Sequence, residues 1–313
     1  MLDHTDRTEE KALRSSHALG WLKLSLSVLA ASVLICPGAL TSGTARHSQQ
    51  TVSSVTGAQT APHWIPVFSD NFSGSAGSLP SSANWIVYTG ASFEDELAQY
   101  TASSPNVRLD GQGHLQLIAR KVRNGWTSGE VQSKESFEAS KGTSLLVEAR
   151  VELPNGGPGY WPAVWAVAQS FRTNRSSEPA AGEVDIAETI SDLPWVDQLL
   201  HCGFNVSPVG CVIHSTYFHS LPFSKPSGEA GWHLYAWEWV NRGSDPYIEM
   251  FIDGVPQLEI FKSEVTNRNW DAAFDHPYYL IVNLAIGGWA GDPTSSSKPA
   301  GAMSVDFVHI FRS

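Results

Sequence analysis

From Trp64 to the C-terminus, apolar residues recur at every second position. In TSLLVEARVEL, Leu145, Val147, Ala149, Val151 and Leu153 share one face, and Glu148, Arg150 and Glu152 share the other. That period of two belongs to a strand with one side buried. HLQLIAR over 114–120 and HLYAWEWV over 233–240 alternate likewise, the second setting His233, Tyr235, Trp237 and Trp239 on one side; Trp237 and Trp239 read as core. IEMFIDGVPQLEI places Asp253-Gly254 between two apolar runs, a hairpin signal because both residues tolerate positive φ. No segment after the first 45 residues sustains a 3.6-residue apolar stripe, so no helix is expected there. Many short strands parted by Gly and Pro, without an internal repeat, predict one all-β domain over 64–313, a sandwich or jelly roll.

The N-terminal region reads differently. Leu24 to Cys36 is an apolar run preceded by Arg14, His17 and Lys23. It is shorter than the roughly 20 residues that span a bilayer and suits the core of a secretory signal over 1–45, with cleavage near Ala45. An uncleaved anchor is the alternative. Residues 46–63, rich in Ser, Thr, Gln and Gly, form a linker. Removing the signal leaves Cys202 and Cys211, which in an exported protein read as one disulfide. A zinc site with His201 and His214 lacks the ligand spacing such sites use.

Composition narrows the partner. The 313 residues are 42% hydrophobic and only 16% charged, with 12 Trp and a net charge of −11. So apolar a chain is neither disordered nor a charged coiled coil. A nucleic acid would be repelled by the acidic excess, and no Gly-rich strand-to-helix motif offers a nucleotide site. A neutral partner fits, taken up by a monomer that needs no membrane once the signal is gone.

The most informative segment is GEVDIAE, residues 182–188. Glu183 and Asp185 are two apart and share a strand face, with Val184 and Ile186 on the opposite one. Glu188, three beyond Asp185, would point into the core of a regular strand. A lone buried carboxylate costs several kcal/mol, so a β-bulge near Ile186–Ala187 is expected to restore it to the acidic face. Three acids on one face repel one another, yet such crowding separates proton affinities. Glycoside hydrolysis needs that separation: one ionised carboxylate and one protonated. Bulge-corrected Cα atoms of Glu183 and Glu188 lie on the order of 13 Å apart, and side chains leaning inward could close this to the roughly 5–5.5 Å of a retaining pair. Taken alone, the spacing also suits a solvated acidic strand or a calcium-binding face.

The flanks decide between these. GGPGYWPAVWAV (156–167) runs into Trp161 and Trp165, and YYLIVNLAIGGWAGDP (278–293) ends at Trp289 on a Gly-rich turn. With FSDNF, ELAQYT, NVRLDGQGHLQLIA, SGEVQSK, HCG, GWHLYAWEW, FIDG and VDFVHIF in order around them, the chain resembles glycoside hydrolase family 16, in particular its laminarinase-like members. The resemblance implies a concanavalin A-like jelly roll of two antiparallel sheets with a concave cleft, cleaving internal β-linkages with retention. It implies Glu183 as nucleophile, Glu188 as general acid/base and Asp185 as the partner of the nucleophile. No cofactor is implied for catalysis. A structural calcium is common in the family; its matching positions here are Asn71, the Gly113 backbone and Asp306, with Asn71 standing where the family usually has Glu.

Trp161, Trp165 and Trp289 are the sugar-stacking candidates, since pyranose C–H faces pack on indole. His201 and Asn283 are the polar ones. FRTNRSSEPAA (171–181) departs from the family, many of whose members place a Trp-Pro just before the acidic strand. The expected substrate is a β-1,3 or mixed β-1,3/1,4 glucan. The rivals are a same-fold galactan hydrolase (agarase, carrageenase or galactanase) and a non-catalytic lectin-like binder. Arg172 and Arg175 are the only local cations that could greet a sulfated polymer.

Overall fold

The computed structural model describes residues 63–313 except 91–92, 192, 194–195 and 204–230. The expected signal and nearly all of the expected linker lie outside the described residues, as do Cys211 and His214.

Among the described residues, two sheets face each other. The larger runs β14 (Val255–Phe261), β13 (Tyr247–Ile252), β12 (Trp232–Val240), β8 (Ser144–Glu152), β16 (Ala300–Arg312), β5 (Leu115–Val122), β6 (Gly125–Ser128) and β3 (Ala98–Tyr100). β1 (Ile65–Asp70) is added to β16, and β4 (Val107–Leu109) to β5. The smaller sheet runs β11 (Asp197–His201), β10 (Glu183–Glu188), β9 (Tyr160–Ala168), β15 (Tyr278–Ile286), β7 (Glu130–Ser133) and β2 (Trp85–Val87). Strand pairs are antiparallel except β3 with β6. This is the jelly roll the alternation predicts.

The period-two reading of β8 translates directly into burial. Leu145, Val147, Ala149 and Val151 are all at most 1% exposed, because every second residue of a strand faces the opposing sheet. Across from them on β12, Trp237 pairs with Val147 and Trp239 with Leu145. The two indoles stack at 6.2 Å and 9°, and Tyr278 of the smaller sheet meets both edge-on at 5.8 and 6.1 Å. One aromatic wedge thus joins the two layers. The Asp253-Gly254 turn forms as expected, with φ of 52° and 74°, both positive as a two-residue hairpin requires.

One element departs from expectation: a helix, α1, spans Asn267–Phe274. Its start is capped by Thr266, whose hydroxyl accepts the Asn269 N–H at 3.3 Å, and it buries Trp270, Ala273 and Phe274 on one face. Two turns are too few for a 3.6-residue period to stand out in a sequence.

The calcium positions are neighbours on the β1–β16 side, but their side chains are taken. Asn71 Oδ1 is 2.8 Å from His309 Nε2, and Asp306 Oδ2 accepts from Arg150 Nη1 at 2.6 Å. His114 Nε2 stands 4.0 Å from the other Asp306 oxygen. A guanidinium therefore sits on the one carboxylate of the set, where a divalent cation needs anionic oxygens. The residues do not fit calcium.

Two outcomes follow from this packing. Trp239→Ala should cost about 3–5 kcal/mol, measured as a lower urea midpoint. Chelation with EDTA should leave the thermal midpoint unchanged; a fall of several degrees that added calcium reverses would return the ion to this side.

Candidate active site

The acidic strand is built as a bulge. On the β9 side Asp185 pairs with Trp165 while Ala187, two residues on, pairs with Val164. On the β11 side Asp185 pairs with Leu199 and Glu188 with Asp197. One extra residue therefore lies between the two acids, at Ile186–Ala187. Both of these are fully buried, and the Ile186 carbonyl accepts from Gln198 Nε2 at 2.8 Å. Gln198 is itself buried, so it satisfies a backbone group that the broken ladder would otherwise strand.

The bulge brings Glu183, Asp185 and Glu188 into one groove. Phe93, Glu94, Glu96, Trp161, Ala163, Trp165, Glu178 and Asn283 line it with them, around about 400 Å³ of space open to solvent. Trp161, Ala163 and Trp165 come from β9 by period two, while Tyr160, Val164 and Ala166 between or beside them enter the core. Gly182 precedes Glu183 with φ of 86°, and a Cβ there would lie 1.9 Å from the Tyr278 hydroxyl. Only glycine lets the strand begin so close to β15.

Each acid has a distinct neighbour. Glu188 Oε1 accepts the Trp161 indole N–H at 2.6 Å. Asp185 Oδ2 lies 3.0 Å from His201 Nε2. Glu183 shares the groove with Glu178, and its carboxyl is held well above the usual carboxylate range, first by burial and then by the charges of Glu178, Asp185 and Glu94. Trp165 Nε1 donates to Asn283 Oδ1 at 3.0 Å, and Asn283 Nδ2 donates to the Tyr100 hydroxyl at 3.1 Å. Tyr100 bonds in turn to Glu96, whose carboxyl burial pushes up to about 8.

Of the residues singled out from the sequence, Trp161, Trp165 and Asn283 line the groove beside the three acids. His201 acts on Asp185 instead, and Trp289 stands at the side, its indole N–H donating to Glu94 Oε2 at 3.1 Å. Arg172 and Arg175 hold the 169–182 loop rather than greeting a ligand. Arg172 lies over the Tyr279 ring at 3.6 Å and donates to Gln132 and the Ser133 carbonyl; Arg175 lies over Phe93 and Phe171, each at 5.2 Å. Glu94, Glu96 and Glu178 were missed because they reach the groove from turns and loops that carry no period. The Glu94–Asp95 turn, with φ of 54° and 59°, offered no glycine to mark it.

A family model described as the XgeA-like catalytic GH16 domain matches residues 87–216. A β-glucanase of Rhodothermus marinus is 30% identical over 272 residues, which cover 80% of this chain and 86% of that protein. A glucan endo-1,3-β-glucosidase A1 of Niallia circulans is 29% identical over 69% of this chain and 32% of its own length. The crystal structure of an endo-1,3-β-glucanase from Streptomyces sioyaensis superposes with a TM-score of 0.73 at 33% identity, over 81% of this chain and 99% of that one. With a bulged acidic strand on a jelly roll and relatives of this extent, the chain belongs to glycoside hydrolase family 16.

Proposed function

We propose that the protein is an endo-acting, retaining glycoside hydrolase that cleaves internal β-1,3 or mixed β-1,3/1,4 linkages of glucans. The observation that carries this reading is the bulge, which turns Glu183, Asp185 and Glu188 into a single groove. The names of the relatives, a β-glucanase and an endo-1,3-β-glucanase, support the substrate class. An open groove suits internal cleavage, because a chain can lie along it without presenting an end.

In the first step a Glu183 oxygen attacks the anomeric carbon while Glu188 passes its proton to the departing glycosidic oxygen. The glycosyl–enzyme ester is then opened by water, which gives a proton back to Glu188. The Trp161 N–H fixes the Glu188 oxygen at which that proton is handled. Asp185, paired with His201, flanks the nucleophile from its own strand. Trp161 is nearly buried with its N–H engaged, so Trp165 and Trp289, both partly exposed, are the better stacking surfaces.

Export and a Cys202–Cys211 disulfide belong to the same proposal. They are supported by the Leu24–Cys36 run and by the complete burial of Cys202. Such a short closed loop contributes about 2–3 kcal/mol in the chain-entropy model.

The test separates the two glutamates by leaving group. Reducing ends released from laminarin and lichenan, and the anomer formed first, are measured for wild type, Glu183→Gln and Glu188→Gln. Wild type should release the β anomer first, and Glu183→Gln should be inactive on every substrate. Glu188→Gln should lose about 10²–10⁴-fold on polysaccharide and far less on an aryl glycoside whose leaving group needs no proton. An α anomer formed first, or full activity in Glu183→Gln, would overturn the assignment.

A further inference from the structure

Along β11 and the residues just before it, Val196 and Leu200 enter the apolar core, while His201 turns to Asp185 on the groove side. The same period of two sends Gln198 into the core, where it is 1% exposed. An amide in that place is costly unless it is bonded, and this one is bonded twice. Gln198 Nε2 donates to the Ile186 carbonyl at 2.8 Å and to the Phe251 carbonyl at 3.2 Å, which uses both N–H groups of a terminal amide.

Both acceptors sit where a ladder slips. On the β11 side, Asp185 is registered with Leu199 and Glu188 with Asp197, so Gln198 is the single residue set against Ile186 and Ala187. Phe251 lies across the sandwich on β13, at the register shift between β13 and β14, where its partner is Pro256. A proline has no N–H to give. One buried side chain therefore ties the irregularity under the acids to an irregularity of the other sheet.

The two ends of β10 depend on that tie unequally. Before the bulge, Glu183 and Asp185 have ladder partners on both sides, His201 and Leu199 on β11, Val167 and Trp165 on β9. Glu188 is the last residue of β10, and it meets Asp197 and Ala163 only because the slip precedes it. A buried carbonyl that loses its donor is expensive, so without Gln198 the 186–187 peptide would turn toward another one. Glu188 would turn with it, away from the Trp161 N–H it accepts at 2.6 Å, and Glu183 would stay.

We propose that Gln198 is a positioning residue for Glu188: by clamping the Ile186 carbonyl to the opposite sheet, it fixes the bulge and so the point at which Glu188 gives up and recovers its proton. This deepens the reading of Glu188 as general acid/base and rests on it.

The experiment compares wild type with Gln198→Met, which removes both donors at nearly constant volume. On laminarin, kcat/KM should fall about 10²-fold, the cost of displacing a reacting group by an ångström. On dinitrophenyl β-laminaribioside it should hardly change, because that leaving group departs without a proton and Glu183 still attacks. Azide opens the glycosyl ester without a general base, forming the β-glycosyl azide and freeing the Glu183 carboxylate. It should therefore raise kcat of the variant on the aryl substrate and leave wild type as it is. Simple destabilisation would strike both substrates alike and ignore azide.

A second readout needs no turnover. In ¹⁵N–¹H spectra the Trp161 indole resonance, assigned by its loss in Trp161→Phe, should shift in Gln198→Met. That of Trp165, which donates to Asn283 at 3.0 Å and is assigned by Trp165→Phe, should stay. If Gln198→Met does not fold, Gln198→Asn, with the amide drawn back by one carbon, takes its place under the same expectations. If wild type hydrolyses no glucan, the functional reading fails while the indole spectrum still decides this one. Equal losses on the two substrates, or a Trp161 resonance that does not move, overturn the proposal.

Discussion

The structure turns on one extra residue in β10. A strand alternates its side chains without exception, so an acid at 183, another at 185 and a third at 188 cannot share a face unless the register slips once. The slip at Ile186–Ala187 lets two consecutive apolar residues face the core and returns Glu188 to the groove. Were it absent, the site would lose an acid and the core would gain a charge. Gln198, hidden on β11, makes the slip tolerable by answering the Ile186 carbonyl.

Around that slip the fold gathers negative charge and manages it mainly by burial and hydrogen bonds. Glu130, beneath the groove on β7, is pushed up to about 7 by burial and accepts from Gln132 Nε2 at 2.7 Å. Glu96 is pushed higher still. Acids that prefer to stay protonated can sit close together without repelling, and a chain of donors runs from the Trp165 indole through Asn283 and Tyr100 toward Glu96. Arg172 and Arg175 lie over the rings of Tyr279 and Phe93, and the Arg175 charge offsets part of the effect of burial on Glu130.

Much of this was legible in the sequence because strand physics is local. The alternation of 145–153, the Asp253-Gly254 turn and the three-residue offset of Glu188 each follow from a few adjacent residues. What was hidden depends on pairs far apart in the chain. Arg150 and Asp306 are 156 residues apart, and their 2.6 Å contact sets a guanidinium on the one carboxylate of the three positions matched to calcium. His201 lies against Asp185 because β11 pairs beside β10. The eight-residue α1 left no periodic trace. Glu178 came from the very loop marked as unusual, but nothing in FRTNRSSEPAA says which of its residues turns inward; the placement of Phe171 and Arg172 decides that.

The pairing of β1 with β16 sets Ile65 opposite Arg312, so the two ends of the described domain run side by side on one sheet. Closing such neighbouring ends with a short connector and opening the chain at an exposed turn, for instance Gly254, would leave every strand order intact. The domain is thus built in a form that tolerates circular permutation, with the groove on the other sheet untouched by the new break.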